Sequence, residues 1–460
     1  MLKKLLSLGL LFILALGLSL GLSNCTNQTL TTSQTNNAEE FTIWWNEGYF
    51  PEETEAIRKI VSDWEKASGK KANLVIYSEK DLAREVNNAI ANNSPPDILY
   101  SYSADLNLIP RLAWEGKLAD VSDVIEPIKD IFLTSALSAV SYQNNLTQKR
   151  SYFAIPISQQ ANHIHYWQDL LTDQGLTKAD IPTDWNKFWQ FWQTLQTKAR
   201  TSSDNKKIYG LGMPMSNGAT DTFFQFEYFL EAYDLKLLNQ QGQLQIDQPQ
   251  VRQGIATALK QYTDLYKNGF VPSKAIEWGD PDNNVSFLSR AVLMSPNPSL
   301  SIPVSQKQDS EIYLKKIATI GFPNKVSGEP MNYKVAVKQA VIFESSNQKQ
   351  TAKEFLAYLT KPENLGGYIQ GSQARFFPVI SKLLDDPFWK DSQDPHIAVA
   401  FQQFKRAVPF THTFNPAYSQ VQLENVWGEA IASVARSESS PEQATDAAIA
   451  KIKQIFAEWK

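Results

Sequence analysis

Phe41-Thr-Ile-Trp-Trp45, a run with helical spacing from Pro51 to Ser68, then Ala72–Tyr77, Lys80–Asn92 and Pro95-Pro-Asp-Ile-Leu-Tyr100: this opening decides the fold class. The first, third and fifth pieces are short and rich in β-branched and aromatic residues, as strands are. The second places Ile57, Ile60, Val61 and Trp64 at i, i+3, i+4, i+7, one face of a helix. Pro51 suits its first turn, Glu52, Glu53 and Glu55 suit its positive end, and Gly69 suits its stop. Strand, helix, strand, helix, strand implies parallel pairing with helices on the sheet faces, an α/β fold.

The alternation continues outward from there. Tyr152–Ile157 and His163–Trp167 read as strands, and Asp184–Leu195 as a helix with Trp185, Phe188, Trp189, Trp192 and Leu195 on one face. Such a stripe is the signature of a buried helix face rather than a row of stacking platforms. Ile208–Met213 reads as a strand, Val251–Lys267 as a long helix closed by Gly269, and Ala318–Phe322 and Val335–Phe343 as strands. Beyond Ala352 the pattern is mostly helical. The last helix opens with Ser440, Pro441 and Gln443, a capping box. No repeat of fixed period stands out.

A chain of 460 residues exceeds one ordinary core and suits two lobes of roughly 150–220 residues each. With 43% hydrophobic and 20% charged residues it is globular. The formal charge of −4, without a domain-scale basic patch, argues against nucleic acid as a partner. The one cysteine, Cys25, rules out an internal disulfide and stands at an informative place. Lys3 and Lys4 precede an apolar run from Leu5 to Leu22, and Leu22-Ser-Asn-Cys25 resembles the bacterial lipobox, with Asn24 where Gly or Ala is usual. Residues 1–24 are therefore expected to be a signal peptide, and 25–39 a lipidated N-terminus on Cys25 with a polar, flexible tether through Thr26–Ala38. An uncleaved anchor helix is the alternative.

Further motifs carry a family resemblance. Ser94-Pro-Pro-Asp-Ile98, Trp114-Glu-Gly-Lys-Leu-Ala-Asp120, Tyr152-Phe-Ala-Ile-Pro156, Ile164–Leu170, Ile320-Gly-Phe-Pro323, Ala352–Leu356, Arg375-Phe-Phe-Pro-Val379 and Ser440–Ala444 occur in order. As an ordered set over residues 40–460 they resemble the extracellular solute-binding proteins of sugar ABC importers, the maltose-binding-protein-like group. The resemblance implies a periplasmic-binding-protein-like type II architecture: two α/β lobes, joined by a hinge of several crossings, that close on ligand. It implies lobe 1 at 40–162 and 319–363, and lobe 2 at 163–318 and 364–460. The crossings would lie near Ala161–His165, Ile317–Phe322 and Pro362–Gln370. The implied partners are permease subunits and their ATPase, for a monomeric, membrane-tethered protein facing the periplasm or cell exterior.

A sugar presents hydroxyls around its edge and C–H faces above and below. Its site needs aromatic plates and planar polar side chains, placed beyond the carboxyl ends of strands. Trp45, Asn46, Glu47 and Tyr49 follow the first strand; Tyr102, Ser103 and Asp105 follow the third; Gln159 and Gln160 follow the hinge strand. Asn217, Asp221 and Phe223 follow the Ile208 strand, and Trp278 and Asp280 share a turn-rich loop. Gln160, Asn297 and Arg375 are added by family position. Each has a plain structural alternative: Asp105, Asp221 and the 280–282 turn as helix caps, Arg375 as a surface ion-pair partner.

Catalysis fits poorly. No nucleophile elbow, phosphate loop or dinucleotide glycine pattern occurs. His163 and His165 alternate on one strand without third and fourth ligands nearby, so core or lining is preferred to a metal site. No cofactor is expected. The rivals are a lipid-anchored saccharide-active enzyme, with Asp280 and Asp282 as a carboxylate pair, and a binder of polyamine, ferric iron or peptide. The sugars in view are mono- or oligosaccharides and osmolytes of the glucosylglycerol, sucrose or trehalose type.

Overall fold

The computed structural model describes residues 40–202, 207–390 and 393–459. The leader, Cys25 and the tether lie outside the described residues. Among the described residues thirteen strands occur: β1 (Thr42–Asn46), β2 (Asn73–Tyr77), β3 (Ile98–Ser101), β4 (Ser141–Asn144), β5 (Lys149–Tyr152), β6 (Ile155–Gln160), β7 (His163–Trp167), β8 (Tyr209–Leu211), β9 (Val292–Asn297), β10 (Ile317–Ile320), β11 (Tyr333–Ile342), β12 (Phe377–Pro378) and β13 (Ala407–Pro409). They form two principal sheets, the architecture of two α/β lobes.

The first sheet runs β12-β6-β11-β3-β1-β2, with β13 beside the start of β11. β1 lies between β2 and β3 and is parallel to both, as the opening pattern requires. Asp97 fastens this register. Its Oδ2 accepts from Thr42 N at 2.8 Å and Thr42 Oγ1 at 3.2 Å, while its own N–H donates to Thr42 Oγ1 at 3.1 Å. Helix Pro51–Ser68 buries Ile57, Ile60, Val61 and Trp64 against the sheet and stops at Gly69, whose φ of 70° is left-handed. Complete burial of side chains of this kind stabilises by about 1.5–3 kcal/mol each.

The second sheet runs β10-β7-β9-β8. The aromatic face of helix Trp185–Ser202 is buried, with Trp185, Phe188, Trp189, Trp192 and Leu195 in the core. Helix Thr220–Ala232 is buried from Asp221 to Ala232. Helix Pro249–Lys267 packs on it and receives helices Val426–Ala435 and Pro441–Glu458. The last of these has the expected capping box: Gln443 N donates to Ser440 Oγ, and Ser440 N donates to Gln443 Oε1.

The chain passes between sheets at Ala161–Asn162, joining β6 to β7, and through residues 321–332, joining β10 to β11. The stretch expected to make a third crossing, near Pro362–Gln370, does something else. It is the helix Pro362–Gly371, packed on Pro51–Ser68. Gly371 comes so near that a Cβ there would meet Glu52 O at 3.0 Å. β12 then pairs with β6, so residues 362–378 stay with the first sheet. Past β12 the helix Pro395–Phe404 packs on β10 of the second sheet, and after β13 the chain runs on through the second-lobe helices. The segment 364–378 was expected in the second lobe; the partner that holds it, helix Pro51–Ser68, lies some three hundred residues earlier.

Candidate functional site

The carboxyl ends of β1 and β3 are the place where an open α/β sheet leaves a crevice. Asn46 Oδ1 accepts the Tyr102 N–H at 2.7 Å and ties the two strand ends together. Glu53, from the first turn of the following helix, reaches back. Its Oε2 accepts Tyr49 N at 2.8 Å, and its Oε1 accepts the Tyr102 hydroxyl at 3.4 Å. Arg375 completes the group. Its guanidinium lies 4.8 Å from the ring centres of both Tyr49 and Tyr102 and 4.6 Å from that of Phe376.

Burial pushes the Glu53 carboxyl above its ordinary range, and the Arg375 charge opposes that shift. Among the described residues no carboxylate makes an ion-pair contact with Arg375. Its Nε and Nη1, and Asn46 Nδ2, are buried donors without acceptors. Tyr49 is 50% exposed, with its ring beside the Arg375 guanidinium and its backbone N–H held by Glu53. Tyr49, Tyr102, Arg375 and Asn46 are thus brought together. Glu47 is exposed and Ser103 half-buried beside them.

Other expected contacts have structural work instead. Trp45 is fully buried, stacked 4.1 Å from Tyr100, and its Nε1 donates to Tyr368 OH at 3.0 Å. It belongs to the core of the first lobe and presents no surface to a ligand. Gln159 is buried and donates to Pro378 O at 2.8 Å, bracing β12 against β6. Asp105 is buried with Lys338, whose Nζ lies 3.2 and 3.3 Å from its two oxygens.

On the second lobe Phe223 and Trp278 are buried, and the Trp278 carbonyl accepts from Ser216 Oγ. Asp280 caps helix Thr220–Ala232 from a distant loop, accepting Thr220 Oγ1 at 2.7 Å and Asp221 N at 3.0 Å. Asp221 accepts Asn283 Nδ2 at 2.9 Å. Burial first, and the Asp280 charge second, raise it well above a usual carboxylate. Asn297 donates to Ser299 O at 2.8 Å and Ser301 Oγ at 2.9 Å, shaping the turn after β9. Asn217 is exposed and donates to Glu429 Oε2 at 2.5 Å.

Gln160 alone of the expected residues lines a hollow at the hinge. This narrow gap, of about 10 Å³, also meets Asn162, Phe224, Lys334 and Phe410. Lys334, on β11, pairs there with the buried Glu227 of helix Thr220–Ala232. Tyr418 OH donates to Glu227 Oε1 at 2.7 Å, and Trp427 Nε1 donates to Tyr418 OH at 2.9 Å. This bridge between lobes was not read from the sequence. Its signal was available in part: Glu227 stands among Phe224, Phe226, Tyr228 and Phe229, and an acid buried among aromatic residues needs a partner. Among the described residues no group of three or more His, Cys, Asp or Glu is arranged to hold a metal. None of their helices is long and apolar enough to cross a membrane.

A family profile described as bacterial extracellular solute-binding protein matches residues 59–399, most of the chain. The chain belongs to that family. Its fold agrees with solved structures at low identity. An ABC transporter solute-binding protein of Thermotoga lettingae TMO, bound with α-D-tagatose, aligns with a TM-score of 0.72 and 19% identity, over 90% of this chain and 99% of its own. T. maritima MalE3 with maltose gives 0.71 and 18%, over 90% and 99%. A sugar transporter protein of Arthrobacter chlorophenolicus A6 with laminaribiose gives 0.68 and 15%, again over 90% and 99%. No curated protein matches the sequence significantly.

Proposed function

We propose that this solute-binding protein captures a neutral sugar, oligosaccharide or sugar-like osmolyte between its lobes and hands it to an ABC permease driven by its ATPase. The observation that carries this reading is the Tyr49–Arg375–Tyr102 group at the strand ends. An exposed aromatic ring and buried donors lacking acceptors are what a polyhydroxylated ring requires. The Arg375 charge has Glu53 close by, so the wall as a whole favours an uncharged ligand over a polyamine or an acid. Sugars bound to structural neighbours in this family point the same way. The site comprises Asn46, Glu47, Tyr49, Tyr102, Ser103 and Arg375 on one lobe and Gln160 at the hinge. It binds and releases; no catalytic step is assigned.

A thermal-shift screen of sugars, osmolytes, polyamines and amino acids tests this, since ligand at 100 times Kd adds about 2.7 kcal/mol. Stabilisation by a neutral saccharide supports the reading; stabilisation by polyamines alone rejects it. Saccharide incubated with the protein should be recovered unchanged. Arg375→Met should cut affinity for the stabilising sugar by roughly 1–3 kcal/mol, the cost of losing a contact residue, with little change in melting temperature without ligand. Equal affinity in titration calorimetry would remove Arg375 from the site.

The same reading places the protein at a membrane through lipidated Cys25, as a monomer. Cys25→Ser should move it from the membrane fraction to the soluble fraction, or leave a larger precursor. Unchanged membrane attachment at mature size rejects the anchor.

A further inference from the structure

Between β12 and β13, both in the first sheet, the chain makes an excursion. Helix Pro395–Phe404 lies on β10, the edge strand of the second sheet. Histidines fasten it there. His163 Nδ1, on β7, bonds Gln403 Oε1 of the helix. Thr319 Oγ1, on β10, lies 2.9 Å from His165 Nδ1 and 2.6 Å from His396 Nδ1. The outer nitrogens face carbonyls: His165 Nε2 is 3.3 Å from Ser299 O, and His396 Nε2 is 2.7 Å from Tyr313 O.

A carbonyl can only accept, so both Nε2 atoms carry the proton in the neutral imidazoles. Both Nδ1 lone pairs then face one hydroxyl, which has one proton to give. The seam therefore has room for one added proton, at a single Nδ1. A second would set two imidazolium rings on the same oxygen, and His163 lies 6.3 Å from His165, centre to centre.

Few groups face this cluster that could answer such charge. β7 supplies His163 and His165, the helix supplies His396, and the turn Ile312–Lys316 supplies Tyr313. Tyr333 of β11 approaches Gln403, and Asp394 precedes the helix. Asp394 is the one carboxylate in this set. It already accepts the Tyr313 hydroxyl and the N–H groups of His396 and Ile397.

We propose that this seam is an acid-labile clasp between the lobes, in which proton loading of His163, His165 and His396 lifts helix Pro395–Phe404 from β10 and loosens the hinge. Burial supports it by disfavouring the charged form of all three; His163 is lowered to about 4. The sign follows. A base whose folded value lies below its unfolded value of about 6.5 binds protons better when released. The stabilisation is complete above about pH 6.5 and is lost as the pH falls toward the folded values.

The test uses the ligand-free protein, so it stands or falls apart from the sugar reading. Melting temperature and solution-scattering radius are followed from about pH 8 to about pH 4.5, together with histidine ring signals by NMR. The expected result is a falling melting temperature and a growing radius below about pH 6.5, with His163, His165 and His396 charging together as the radius grows. His165→Gln/His396→Gln should flatten that acid limb. Coincident acid limbs in wild type and variant would overturn the clasp. If the variant does not fold, the wild-type signals decide: His163, His165 and His396 titrating one by one at constant radius overturn it too.

Discussion

Replacing Lys338 by methionine is expected to destabilise the protein by about 3–5 kcal/mol at neutral pH, the usual cost of stranding a buried charge. Lys338 lies inside β11, between β3 and β6, and only 2% of it is exposed. Its ammonium donates to Tyr102 O at 2.6 Å and to both Asp105 oxygens. Burial raises the Asp105 carboxyl to about 6 even with that cation beside it. A carboxyl raised above its unfolded value of about 3.9 favours the fold in acid; its contribution is complete below about pH 4 and lost as the pH rises through about 6. Without Lys338 that loss deepens, so Lys338→Met should be closer to wild type at about pH 5 than at about pH 7. Adding Asp105→Asn should restore much of the stability, because the pair is then removed together. Urea titrations at both pH values give the comparison. A cost under about 1 kcal/mol at neutral pH would mean that Asp105 is not held by Lys338.

The Asp105–Lys338 pair also shows where sequence stops informing. Asp105 follows the third strand, so a ligand contact and a helix cap both suited it. Its true partner is 233 residues away, on a strand of the same sheet. Local pattern was enough for the opening βαβαβ unit, the aromatic face of Trp185–Ser202 and the final capping box, because neighbours in sequence decide those. Asp280 was legible as a loop acid but not as the cap of helix Thr220–Ala232, 60 residues earlier. Arg375 was placed at the site by family resemblance, and its setting among Tyr49, Tyr102 and Phe376 needs three separate loops to converge. The Lys334–Glu227 bridge shows the converse case, where an acid buried among aromatic residues announces that a partner exists without saying where.

Two neighbouring aromatic residues should separate core from site. Trp45→Ala is expected to cost about 3–5 kcal/mol of stability, as large-to-small changes in a packed core do. Trp45 alternates toward the face of β1 covered by helix Pro362–Gly371, where Tyr368 receives its Nε1–H and Tyr100 stacks on it. Truncation leaves a cavity the size of an indole and an unpaired Tyr368 hydroxyl. Tyr49→Ala, four residues on, removes a half-exposed ring that no core depends on. Its melting temperature should stay within a few degrees of wild type, in line with surface substitutions, while sugar affinity falls by roughly 1–3 kcal/mol. Chemical denaturation and titration calorimetry on both variants form one experiment. The opposite pattern, a stable Trp45→Ala with lost binding beside a Tyr49→Ala that binds normally, would return Trp45 to the ligand and move the site off the Tyr49–Arg375 wall. The physical basis for expecting the first pattern is exposure: a ligand can stack on a ring only where the protein has left a face of it bare.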